Sequence, residues 1–184
     1  MRTVRLGKTG LEISRVGIGG IPLMRPPEAE AIRVVQRALD LGVTFVDTAL
    51  GYTDSEIRVG KAVAGRRDQV VIATKGGGQD KEMALGHIDL SLERLNTDYI
   101  DLWQFHNISS FERYERVVGL GGGLEGALQA LQATRTLQAE AGSLPTVDVE
   151  GYVDGDLKGG IEIRFSGDVE WPASIYLPMV LRND

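Results

Sequence analysis

Residues 43–75 read VTFVDTALGYTDSEIRVGKAVAGRRDQVVIATK. Val43–Val46 is an unbroken, β-branched-rich apolar run, the pattern of a strand buried on both faces of a parallel sheet. Residues 54–64, DSEIRVGKAVA, then carry a helix, with Asp54 or Ser55 placed to cap its first turn. Val70–Ala73 is a second buried strand, entered after Arg66-Arg67-Asp68. Strand, helix, strand in this order predicts one βαβ unit and a parallel sheet.

The same rhythm extends outward on both sides. Upstream, residues 2–16 (RTVRLGKTGLEISRV) alternate apolar and polar around Lys8-Thr9-Gly10 and predict a β-hairpin in which Val4 and Leu6 face Leu11 and Ile13. Val16–Ile18 is a short apolar strand stopped by Gly19-Gly20. A helix opens at Pro26-Pro27-Glu28, shows a stripe of Ile32, Val35, Ala38 and Leu39, and closes at Gly42. Downstream, a helix from about Lys81 to Leu95 shows Leu85, Ile88, Leu92 and Leu95 on one side. Tyr99–Phe105 forms a further strand, and a glycine-broken helix runs over Ser110–Val118 and then Leu124 to about Ala139. Four such βα units leave two common closures, an open doubly wound sheet or a (β/α)8 barrel.

The remainder of the chain changes character. Val147, Val149 and Val153, then Asp154-Gly155-Asp156, then Ile161, Ile163 and Phe165 alternate with period two and predict an antiparallel hairpin. Ser174–Leu181 is a third candidate strand, placed at an edge by Pro178. Residues 135–184 hold 4 Lys+Arg against 9 Asp+Glu, so most of the net charge of -6 over 184 residues falls there. We therefore expect two regions: a partial barrel over 1–139 and a β-rich tail over 144–184 of unassigned role.

Composition narrows the chemistry. The absence of cysteine excludes disulfides, thiolate metal sites and a thiol nucleophile. The acidic balance argues against nucleic acid or an anionic membrane as partner, and no apolar run is long enough to span a bilayer. A cytoplasmic location is the expectation. No set of His and carboxylate residues has metal-ligand spacing, so no metal is expected. Glycine is abundant, at 24 residues, and clusters between periodic segments as turns. Gly121–Gly126 fits G-x-G-x-x-G in letters, yet it follows a helix and lacks the acidic ribose ligand of a βαβ unit, so it is not read as a dinucleotide site. Gly76–Gly78, after Lys75, reads as a flexible loop.

Function is legible at the strand ends. Three successive strands end in ionisable residues: Asp47, Lys75 and His106, with Tyr52 five residues beyond the first. In a barrel the working residues gather at the carboxyl ends of the strands. A tyrosine hydroxyl near pKa 10 is a poor acid at neutral pH; a nearby ammonium lowers that value, and a carboxylate holds the ammonium in place. An imidazole can orient a carbonyl, so the four together suit stabilisation of an alkoxide as hydride arrives. None of the four supplies hydride, which requires a nicotinamide cofactor.

Residues 2–132 resemble the N-terminal half of an aldo-keto reductase. The stretches that carry the likeness are RLGKTGLEISRVGIGG, FVDTALGYTDSE, VVIATK, YIDLWQFHN and FERYERVVGLGGGLEGALQAL. The second departs from the family's signature at Thr53, where glycine is usual. The resemblance implies a partial (β/α)8 barrel: an N-terminal hairpin plus about four βα units, followed by the short antiparallel segment. It further implies a catalytic tetrad of Asp47, Tyr52, Lys75 and His106, with Tyr52 as general acid, Lys75 and Asp47 lowering its pKa, and His106 orienting the substrate. NADP(H) or NAD(H) would be the cofactor, approached by Gly19, Gly20, Ile21 and Asn107, and the substrate a small carbonyl compound. The family's later cofactor-gripping elements have no counterpart after Leu131. That leaves a second expectation, a non-catalytic interaction module derived from such an enzyme, with self-association through exposed strand edges.

Overall fold

The structure is a computed structural model, and it describes residues 1–7, 9–140 and 179–181. An antiparallel hairpin comes first, β1 (Thr3–Arg5) and β2 (Glu12–Ser14), with Val4 opposite Ile13. The main sheet follows: β3 (Ile18–Gly19), β4 (Phe45–Asp47), β5 (Val71–Gly76) and β6 (Ile100–Phe105), in that order, with β7 (Met179–Leu181) next to β6. The β3–β4 and β4–β5 pairs are parallel, with Ile18 beside Val46 and Val46 beside Ile72. Between the strands run α1 (Glu28–Asp40), α2 (Ser55–Val63) and α3 (Lys81–Leu95), and after β6 come α4 (Phe111–Val118) and α5 (Gly123–Glu140). These are the repeating units of a (β/α)8 barrel, present over part of the chain. The β7 strand lies inside the predicted Ser174–Leu181 stretch, whereas the hairpin predicted over 147–165 lies outside the described residues.

By contacts the chain divides into two compact units. One comprises Met1–Lys75 with Leu90–Leu102, the other Gly76–Asp89 with the described residues from Trp103 onward. The first is built on Val35, Val46, Val59, Ile72 and Ile100, each fully buried. Strands β5 and β6 bury all but one residue each, as the unbroken apolar runs required, whereas β4 buries Val46 and leaves Phe45 and Asp47 half-buried.

Helix ends follow the local chemistry. α1 closes in a Schellman arrangement: Gly42 adopts φ +86, its N–H donates to the Leu39 carbonyl, and the Val43 N–H donates to the Ala38 carbonyl. The Ser110 hydroxyl caps α4 by accepting from the Arg113 N–H at 3.2 Å.

Several faces differ from the sequence reading. α1 buries Ala31 and Val35, leaving Ile32, Ala38 and Leu39 half-buried. α3 buries Ala84, Ile88, Ser91 and Leu95, while Leu85 and Leu92 sit at its margins. In both helices a small residue occupies the line of closest approach, and larger neighbours flank it. The hairpin buries Leu11 and Ile13 but exposes Val4, so only one of its strands packs inward. The first barrel strand also begins later than Val16, because the Ser14 hydroxyl donates to the Val16 carbonyl and turns the chain there.

Within the first unit, α2 lies so close to the end of α3 that a Cβ on Gly60 would stand 2.3 Å from the Leu95 carbonyl oxygen. In the second unit, Gly126 plays the matching part for α5, where a Cβ would stand 2.3 Å from the Lys81 oxygen. Gly123 and Gly126 of the G-x-G-x-x-G stretch thus serve backbone packing, whereas Gly121 takes φ +70 and its carbonyl accepts from the Lys81 N–H.

Candidate active site

Asp47 ends β4 and Lys75 lies one residue from the end of β5, so the parallel register brings them to one end of the sheet. The Lys75 ammonium donates to Asp47 Oδ1 at 2.7 Å and to the Thr48 carbonyl at 2.7 Å. It also stands 5.4 Å from the centroid of the Tyr52 ring. Tyr52 sits in the loop between β4 and α2, where its N–H donates to the Ala49 carbonyl and its carbonyl accepts from Ser55. Three of the four residues singled out in the sequence therefore meet in the first unit.

His106 belongs to the second unit and follows directly on β6. Its N–H donates to the carbonyl of Gly76, the residue after Lys75, and its side chain is half-buried. Asn107 follows in a left-handed conformation, φ +59, and is exposed.

The electrostatics of Tyr52 run opposite to the sequence expectation. Burial, and secondly the charge of Asp47, push its phenol above the ordinary value. Beside it, the Lys75 ammonium is engaged by Asp47 and the Thr48 carbonyl and stands over the Tyr52 ring.

At the end of β3 the candidate cofactor residues divide. Gly19 is exposed and open, with nothing within 4 Å of where a Cβ would stand, so a flat ring can approach the backbone there. Ile21 is likewise exposed. Gly20 is buried and committed to the chain itself: its N–H donates to the Asp47 carbonyl, and a Cβ would meet the Ser55 and Thr48 hydroxyls at 2.7 and 2.8 Å. Of these three, Gly19 and Ile21 are open to solvent, and Gly20 acts as a spacer that sets β3 against β4.

Sequence reasoning missed the buried polar scaffold behind these residues. Glu56, 1% exposed, accepts from the Thr74 hydroxyl at 2.6 Å. Arg94 reaches Glu56 at 3.9 Å and donates to the carbonyls of Leu50 and Thr53. Arg58 fixes the turn after β3 through the carbonyls of Leu23 and Pro26. Fully buried Asp101 accepts from Arg67 at 2.6 Å and from the Ile72 N–H at 2.9 Å. A charged residue on an otherwise apolar helix or strand, such as Asp101 inside YIDLWQF, is the one signal that could have pointed to them.

Among the described residues no group of three or more His, Cys, Asp or Glu could hold a metal ion. None of the described helices is long and apolar enough to cross a membrane.

Comparison with known proteins gives the family. The model of the aldo/keto reductase family matches residues 15–134, and the chain belongs to that family of oxidoreductases. The aldo-keto reductase YhdN of Bacillus subtilis is 39% identical over 125 residues, which cover 58% of this chain and 38% of the relative. Among solved structures, the holo form of aldo-keto reductase AKR11C1 from Bacillus halodurans superposes with a TM-score of 0.56 at 32% identity, over 64% of this chain and 45% of that one. An aldo-keto reductase from Klebsiella pneumoniae in complex with NADPH gives a TM-score of 0.55 at 29% identity, over 63% and 44%. The chain spans about two-fifths of the length of the curated relatives it matches.

Proposed function

We propose that this chain carries the catalytic tetrad of an NAD(P)H-dependent reductase that converts a small aldehyde or ketone to an alcohol in the cytoplasm. Tyr52 is the general acid, giving its phenolic proton to the substrate oxygen. Lys75 stabilises the phenolate that this leaves. Asp47 keeps Lys75 at the strand end, and His106 orients the carbonyl. Gly19 and Ile21, with Asn107, would hold the nicotinamide end of the cofactor, which supplies hydride when bound.

The observation that carries this reading is the Asp47–Lys75 ion pair of 2.7 Å lying against the Tyr52 ring. Support comes from the relatives, one of which was solved in complex with NADPH. The test is NADPH consumption with 4-nitrobenzaldehyde. Tyr52→Phe should reduce the rate by about a hundredfold or more, as expected for loss of general acid catalysis. A rate unchanged by that substitution removes the catalytic assignment, and absence of any rate leaves the chain as a non-catalytic interaction module.

A further inference from the structure

We infer that Arg94, in the last turn of α3, is a positioning residue that fixes the Tyr52 loop from behind. The inference rests on the assignment of Tyr52 above. One guanidinium nitrogen donates to the Leu50 carbonyl at 3.1 Å and to the Thr53 carbonyl at 3.3 Å. These two carbonyls bracket Tyr52. Charge-assisted hydrogen bonds of this kind are stronger than neutral ones and hold a loop that would otherwise move.

The clamp is anchored from the site itself. Arg94 lies 3.9 Å from Glu56 Oε2, and the other oxygen of Glu56 accepts from the Thr74 hydroxyl at 2.6 Å. Thr74 is fully buried and directly precedes Lys75. From the opposite side, the Leu50 N–H donates to the Lys75 carbonyl at 2.8 Å. The Thr74 side chain and the Lys75 carbonyl are therefore tied, by two routes, to the loop that carries Tyr52.

The loop also holds a conformation that needs holding. Thr53 adopts φ +42, a left-handed geometry that is a genuine outlier for a β-branched residue. Such geometry persists where its surroundings over-determine it, and the Arg94 contact falls on that residue's carbonyl. Arg94 is only partly exposed, so its guanidinium is drawn from solvent to make these contacts.

The experiment compares the full chain with Arg94→Met and Arg94→Lys. The Tyr52 phenol is followed by 13C NMR in tyrosine-labelled protein, assigned with Tyr52→Phe, alongside steady-state kinetics with NADPH and 4-nitrobenzaldehyde. In Arg94→Met the Tyr52 titration should move down toward the ordinary value of about 10, because the ring leaves its half-buried place beside Asp47. The kcat should fall about tenfold to a hundredfold while KM changes less than about threefold, the split expected of lost geometry. Arg94→Lys, which keeps the charge on a shorter side chain that reaches the two carbonyls less well, should fall between the two. A folded Arg94→Met with the parent's Tyr52 titration overturns the inference, even if its melting temperature drops. Should Arg94→Met not fold, a parent-like titration in Arg94→Lys overturns it equally. If the parent chain shows no reduction, the proposed activity fails and the titration alone decides the role of Arg94.

Discussion

Gly60 and Gly86 both lie inside helices, and the same substitution at each should have opposite effects. Helix propensity favours alanine over glycine by about 1 kcal/mol. At Gly86, on the exposed face of α3, a Cβ would meet nothing within 4 Å, so that preference should appear undiminished. At Gly60 the Cβ would stand 2.3 Å from the Leu95 oxygen, 2.6 Å from its carbonyl carbon and 2.9 Å from its Cα. A carbon-to-oxygen approach settles at about 3.3 Å or more, so α2 must withdraw by about 1 Å. All three obstacles are backbone atoms, which places the overpacking penalty near the upper end of its usual range, about 3 kcal/mol. Against the propensity gain of about 1 kcal/mol, Gly60→Ala should lose about 2 kcal/mol net. For a chain of this size that lowers the melting temperature by about 4–8 °C, while Gly86→Ala raises it by about 2–4 °C. Thermal unfolding followed by circular dichroism at 222 nm, with urea titration as a second measure, reads both. A Gly60→Ala protein that melts at or above the parent would refute the close-approach argument.

Two further outcomes follow from the buried charges and the phenol. Asp101→Ala leaves the Arg67 guanidinium and the Ile72 N–H without their shared acceptor, and should destabilise the chain by about 3 kcal/mol in urea titration; Asp101→Asn, which keeps an acceptor, should be clearly milder. The raised pKa of Tyr52 means the folded chain holds its phenolic proton more tightly than the unfolded one. That contribution is complete below the unfolded value of about 10 and is lost as pH rises through the higher folded value, so stability should decline across that alkaline window. Tyr52→Phe should flatten part of the decline, and an unchanged slope would count against the burial of this ring.

Much of the fold is written in short-range pattern. The strands announce themselves as apolar runs bounded by glycine or charge, and α3 spans Lys81–Leu95 as its periodicity required. The strand ends likewise exposed Asp47 and Lys75, because the parallel pairing of β4 and β5 brings their carboxyl ends together whatever lies between. Helix faces were less legible. Hydrophobic size pointed to Ile32 and Leu85, but close packing selected Ala31 and Ala84, since a small residue permits the nearest approach. For the scaffold of Glu56, Arg94, Asp101 and Arg67 a charge inside an apolar run was the only signal, and the pairings could not be read, because each partner is supplied from far along the chain: Thr74 lies 18 residues from Glu56, and Leu50 lies 44 from Arg94. The direction of the Tyr52 shift was missed for a related reason. Sequence places a lysine near a tyrosine but does not say how far the ring is buried or how near the carboxylate stands.

Thr53 carries a consequence for recognition. A glycine in its place could sample many backbone states before any encounter, and a binding partner would then have to restrict them. With a β-branched residue in a left-handed conformation, the freedom of this loop is lost when the chain folds. Whatever meets Tyr52 finds its loop already in place, so little ordering entropy of that loop opposes association. The strain at one residue is thereby converted into readiness at the next.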